Sequence, residues 1–304
     1  MKHQGVEIED TFAEAFTMSA ARVIVTAVSR RWAQTAATVA TGYGTSVIGC
    51  DAEAAIERDL APDETPDGRP GVSFLVFGFS SDAVGKALLG RVGQCVMTCP
   101  TTSCYDGLPE GDKKVKVGAA LRYFGDRNQI SKRLVNRRYW RLPVMDGEFV
   151  CEDVFGVQKG VGGGNFLILG RTQAIALAAA EDAVEAIGAE PDVICPFPGG
   201  VVRSGSKVGS AYKKLKASTN DAYCPTLRGV VESQLPDSVN AVYEVVIDGL
   251  SLEAVERATR RGIHAACREG VERISAGNYG GRLGPHHIRL HEVMKEEGGG
   301  RSSK

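Results

Sequence analysis

RVIVTA, Arg22 to Ala27, and NFLILG, Asn165 to Gly170, decide the fold. They lie 143 residues apart, and the same offset carries Glu9-Asp10-Thr11-Phe12 onto Glu152-Asp153-Val154-Phe155. An alanine-rich segment of helical character follows each strand, WAQTAATVA from Trp32 and AIALAAAEDAVEAI from Ala174. A gapless match across strands and a helix points to duplication, and two copies predict two lobes rather than a solenoid.

Working outward, VSFLVFGF (Val72 to Phe79) and VYEVVIDG (Val242 to Gly249) have strand composition. Helices are expected from about Ser81 to Val92 and over Ser251 to Gly270. QCVMTC (Gln94 to Cys99), RISAG (Arg273 to Gly277) and HHIRLHEV (His286 to Val293) read as further strands. The fold class is therefore α+β, with two pseudo-symmetric ferredoxin-like lobes from an internal duplication, residues 1–147 and 148–304. Helices are expected on one face of a largely antiparallel sheet. Ala61 to Gly71 reads as a surface turn, Thr101 to Arg138 as an insertion or contact arm, and the GGGRSSK tail as disordered.

The 304 residues are 43% hydrophobic, enough for a substantial core, and carry a net charge of −1. Evenly mixed charge gives no basic footprint for nucleic acid and no field for an anionic membrane. The chain has no apolar run of membrane-spanning length, and MKHQGVEIEDTFAEAF is acidic where a secretion signal is basic, so a cytoplasmic protein is expected. The eight cysteines include no Cys-x-x-Cys pair and read as reduced thiols.

Several stretches invite chemistry. GVGGGNF (Gly160 to Phe166) has its glycines ahead of a strand, not opening a helix, so a bulge or close backbone approach is expected rather than a dinucleotide loop. PFPGGVVRSGSKVGS (Pro196 to Ser210) misses the phosphate-loop pattern, because Lys207 falls one place late. Its Arg203, Ser206 and Lys207 still suit an anionic ligand. His286, His287 and His291 lack further ligands at zinc spacing, and no metal site is expected. KASTNDAYCPT (Lys216 to Thr226) gathers Ser218, Thr219, Asn220 and Asp221, fit for an Asx-type turn or the polar end of a pocket. Within VYEVVIDG, alternation puts Tyr243, Val245 and Ile247 on one face and Val242, Glu244 and Val246 on the other. A carboxylate in that apolar row is costly unless something uses it.

Taken together, ATGYGTSVI, ETPDGRPGV, VGQCVMT, GGGNF, PFPGG, SKVGS, ASTNDAYCPT, VYEVVIDGL and ISAGNYGGRLG resemble the formylmethanofuran:tetrahydromethanopterin formyltransferase family, in order and over nearly the whole chain. The resemblance implies formyl transfer between the amine of methanofuran and N5 of tetrahydromethanopterin, both bound as substrates, with no permanent cofactor and no metal. It implies a homo-oligomer, dimer or tetramer. The near-neutral charge looks like the bacterial branch used in formaldehyde oxidation, where a hydrolase complex is a further partner; a non-catalytic scaffold subunit of such a complex is the alternative. Glu244 falls where the family has a glutamate at the reacting centre, which implies a general acid/base. Gly162, Gly163, Gly164, Asn165, Gly277, Asn278 and Tyr279 join the expected substrate-binding residues. Backbone N–H groups at Gly162 to Gly164 or Gly277 to Gly281, or the Asn220 side chain, are the expected oxyanion donors. Arg203, Lys207, Lys213, Lys214 and Lys216 suit an anionic cofactor tail.

Overall fold

The computed structural model describes residues 1–295, and the GGGRSSK tail lies outside the described residues. The chain forms two compact units. Unit one is Met18–Gly160; unit two combines Met1–Thr17 with the chain from Val161 onward. The change of unit falls inside two long strands, β1 (Phe12–Thr26) and β5 (Val154–Gly170).

In unit one the order is β1, α1 (Arg30–Thr41), β2 (Glu53–Leu60), β3 (Gly71–Gly78), α2 (Ser81–Arg91) and β4 (Ser103–Asp106). β3 pairs with β2 and β1, and β1 pairs with β4, every pair antiparallel. That gives the spatial order β4-β1-β3-β2, the ferredoxin-like arrangement. Val23, Val25, Phe74 and Val76 face α1 and α2 in one core, with Ala33, Ala37, Val84 and Leu88 from the helices. A meander of Arg137–Val144 and Gly147–Glu152 extends beside β4, and the fully exposed strand Ile130–Leu134 ends it.

Unit two repeats the plan with β5, α3 (Gln173–Ile187), β6 (Val193–Ile194), β7 (Ala241–Gly249), α4 (Leu252–Ala266) and β8 (Val271–Ser275). Its spatial order is β8-β5-β7-β6. β9 (His286–Arg289) pairs with Phe12–Ala15 at the start of β1. In the central strand pair the duplication holds residue by residue. Ile24 pairs with Ser73 and Leu167 with Glu244, Val23 with Phe74 and Phe166 with Val245. The helices that follow start alike: Ser80 caps the N–H of Ala83, and Ser251 caps that of Ala254.

The glycines of GVGGGNF lie inside β5, at a bulge between Val161 and Gly164. Gly164 has to be glycine, since a Cβ there would sit 2.5 Å from Val255 of α4. Two expected strands are corrected. QCVMTC continues α2 as a π turn over Val92–Val96, closed by Met97 N–H donating to Val92 O at 2.8 Å. Val92 and Val96 are both buried, a spacing of four that belongs to a helix face. HHIRLHEV is strand only to Arg289, and Leu290–Val293 turns helical. The expected arm also begins in the core, because Ser103–Asp106 is β4 and wholly buried. Among the described residues no helix is long and apolar enough to cross a membrane.

Candidate active site

The site is built on the face of the unit two sheet that the helices do not cover. Phe166, Ile168, Val245 and Ile247 point into the helix-packed core. Leu167, Leu169 and Val242 point the other way, under Tyr223, Leu235 and Val239 from the segment before β7. Glu244 shares that second face, as strand alternation requires. Its backbone is fixed on both edges: it is in register with Leu167, and it exchanges two hydrogen bonds with Val202, 2.8 and 3.0 Å.

The Glu244 side chain is half-buried, and no ion pair or hydrogen bond to its carboxyl is present among the described residues. Burial alone pushes its pKa up to about 7. A carboxyl of this kind takes and returns a proton at neutral pH, which an ion-paired one does not.

Other expected residues gather nearby. The Tyr279 phenol lies near Ser206, and it stays protonated beyond the ordinary phenol range. Burial is the main cause, opposed by Ser206 and aided by the charges of Glu244 and Glu14. Phe16 packs at 6.3 Å from the Tyr279 ring and borders the bulge at Gly163. Asn165, 7% exposed, clamps the turn before Tyr279: Gly277 N–H donates to its Oδ1 at 2.6 Å, and its Nδ2 donates to Gly277 O at 3.1 Å and Gly163 O at 3.2 Å.

These bonds decide what the glycine turns can offer. The N–H of Gly163 already donates to Asp248, that of Gly277 to Asn165, that of Gly280 to Asn278 and that of Gly281 to Glu14. Asn278 also spans back to Thr11 and Phe12, so it shapes the turn. Gly164 lies in the β5–β7 ladder opposite Ile247, next to the bulge that holds Gly162.

The segment Arg203 to Asp221 forms a lobe of its own beside Val202. Lys207–Val208 pairs with Ala217–Ser218. Ser218 Oγ donates to Gly209 O at 2.7 Å, and Thr219 reaches Ser204 O at 3.4 Å, so both hydroxyls close the hairpin. Lys207 pairs with Asp221 at 2.5 Å, and this hydrogen bond is the main cause holding the Asp221 carboxyl below its usual range. Arg203, Lys213, Lys214 and Lys216 are exposed. Asn220 borders Gly205, which takes a left-handed conformation there. The histidines are placed separately: His286 bonds Thr17 at 2.9 Å, His287 packs on Phe12, and His291 bonds Ile8 O. Among the described residues no group of three or more metal-ligating side chains converges.

One residue of this site was not singled out in the sequence. Glu14, 1% exposed, points both carboxylate oxygens at the turn after Gly277 and accepts N–H bonds from Tyr279, Gly281, Leu283 and Gly284. Burial disfavours its charge, yet the four donors outweigh burial and hold its pKa below the ordinary carboxylate value. The duplication contained a signal for it: the offset of 143 puts Val157 at the matching place in the other copy.

Comparison with known proteins fits this geometry. Residues 1–144 match the family model described as formylmethanofuran-tetrahydromethanopterin formyltransferase, and residues 147–293 match that of the FTR proximal lobe. The chain belongs to the formylmethanofuran-tetrahydromethanopterin formyltransferase family. A formyltransferase of this name from Methylococcus capsulatus is 57% identical over 294 residues, covering 95% of this chain and 98% of the relative. The formyltransferase/hydrolase complex of Methylorubrum extorquens, solved with methylofuran, contains a chain similar at a TM-score of 0.95 and 52% identity, covering 98% of this chain and 99% of that one. The Methanosarcina barkeri formyltransferase matches at a TM-score of 0.92 and 49% identity, over 96% and 100% of the two chains.

Proposed function

We propose that this protein is a formyltransferase that moves a formyl group between the amine of methanofuran, or a methylofuran-type analogue, and N5 of tetrahydromethanopterin, with Glu244 as the proton carrier. The observation that carries this reading is a half-buried carboxyl with no ionic partner, poised near pH 7 in a chain that belongs to this family. N5 attacks the formyl carbon and forms the new C–N bond. Its proton passes to the Glu244 carboxylate, and the resulting acid protonates the leaving amine as the old C–N bond breaks. Glu244 ends as it began, so the cycle needs no metal or prosthetic group, and the pterin and furan act as substrates.

The developing oxyanion needs a donor, and losing one well-aimed donor typically costs about 3 kcal/mol of barrier. With the Gly163, Gly277, Gly280 and Gly281 N–H groups committed, side chains fit this role best: the Tyr279 phenol and the Asn220 carboxamide. Exposed Arg203, Lys213, Lys214 and Lys216 suit an anionic cofactor tail. The likeness to a chain of the Methylorubrum complex supports assembly with hydrolase subunits; a cytoplasmic location and a homo-oligomeric core are the arrangement we infer for this chain.

The test is a transfer assay. Purified protein, formylmethanofuran and tetrahydromethanopterin are mixed, and the absorbance of the formyl-pterin is followed. Pterin-dependent transfer is expected; formate release without pterin, or no turnover, overturns the reading.

A further inference from the structure

We propose that Glu14 is a positioning residue of this site: its carboxylate fastens the 279–284 turn and so sets the Tyr279 phenol beside Glu244 and Ser206. The inference rests on the role proposed for Glu244.

Three observations support it. Both Glu14 oxygens are used, Oε2 by the N–H groups of Tyr279 and Gly281 at 2.7 and 2.9 Å, and Oε1 by those of Leu283 and Gly284. Four backbone donors on one buried carboxylate form a fixed anion nest, and a neutral amide cannot replace it without turning its own N–H atoms toward donors. The turn that it holds is built on glycine: Gly280 and Gly281 sit at φ of +71° and +70°, and a Cβ at Gly284 would lie 2.4 Å from Ala15 O. The clamp also reaches the chemistry: Asn165, which holds Gly277 at the start of this turn, lies on β5 two residues before Leu167, the partner of Glu244, and the Tyr279 phenol feels the charges of both Glu14 and Glu244. Finally, both acids stand where the other copy has an uncharged residue. Val157 matches Glu14, and Ser73 matches Glu244. The two departures from the duplicated plan therefore converge on one tyrosine.

The experiment compares wild type with Glu14→Gln in the full chain. Without substrate, the ionisation of Tyr279 is read by ultraviolet difference titration, assigned by subtracting Tyr279→Phe. In Glu14→Gln the Tyr279 transition is expected at lower pH than in wild type, because a negative neighbour is removed and the turn loosens. In the transfer assay kcat is expected to fall at least tenfold with KM within threefold. Glu14→Asp, which keeps the charge on a shorter arm, is expected to recover part of both effects. An unchanged Tyr279 titration together with kcat within twofold overturns the proposal. Should neither variant fold, amide exchange in the wild-type protein decides: protected N–H groups at Tyr279, Gly281, Leu283 and Gly284 support the clamp, and fast exchange at all four overturns it. The titration and the exchange need no turnover, so this proposal fails or stands apart from the formyltransferase assay.

Discussion

The two units share one strand plan and differ most at one paired position. Where unit two has Glu244 opposite Leu167, unit one has Ser73 opposite Ile24. Ser73 is 1% exposed, and the rest of that face in unit one is occupied by the protein itself. Arg69 donates to Asp67, Thr26, Ser103 and the Thr101 carbonyl, and Asp67 also accepts from Thr26 and Tyr105. The APDETPDGRPG turn supplies this plug, so a segment that reads as a mere connection closes the unit one face. In unit two the corresponding face keeps an acid without an ionic partner. A duplicated fold can thus keep the same helix-packed core twice while only one copy retains a surface open to chemistry.

The strongest way to break this comparison is to exchange the difference. Ser73→Glu puts a carboxyl into a packed face whose arginines Arg22 and Arg69 already pair with Glu57 and Asp67, and it is expected to destabilise the protein by roughly 3–5 kcal/mol. A chemical denaturation midpoint close to wild type would mean that the unit one face is not closed. Next comes Glu244→Gln, expected to lower kcat at least a hundredfold, about 2.7 kcal/mol of barrier, with folding and cofactor binding intact. A loss of tenfold or less would reduce Glu244 to a structural role.

The same variant has a stability signature of opposite sign. Because burial raises the Glu244 pKa from 4.5 to about 7, the folded protein keeps a proton that the unfolded chain gives up between those values. Stability therefore falls as pH rises through that window, and above it the full cost is about 3 kcal/mol. Glu244→Gln removes this cost, so its melting temperature is expected to exceed that of wild type by several degrees at pH 8 and to match it near pH 4. Equal melting temperatures at pH 8 would show that the carboxyl is well solvated. The smallest effect belongs to Ser73→Ala. Only a 3.5 Å bond to Arg58 O is lost, so stability should change by less than about 1 kcal/mol, with turnover unaffected.

Much of this was legible in the sequence because repeats and strand alternation are local signals. The offset of 143 gave both strands and both first helices, and alternation in VYEVVIDG put Glu244 on the correct face. QCVMTC was misread because a short apolar run suits either period, and its helical spacing shows only once Val92 is counted with it. That the N–H groups of Gly163, Gly277 and Gly281 are already engaged was beyond reach of sequence reasoning. Their partners Asp248, Asn165 and Glu14 come from other segments, and only the folded chain brings acceptor to donor. Glu14 was missed for the same reason: its four donors lie more than 260 residues away.

The two long strands that change unit midway have a consequence for dissecting the molecule. A gene fragment encoding only 148–304 would start after Phe16 and Glu14, and so would lack two side chains that border or brace Tyr279. Such halves are expected not to fold as autonomous modules. Co-expressing both fragments should restore a native assembly where either one alone would not, and a useful split point is better sought in exposed turns than at the midpoint of the repeat.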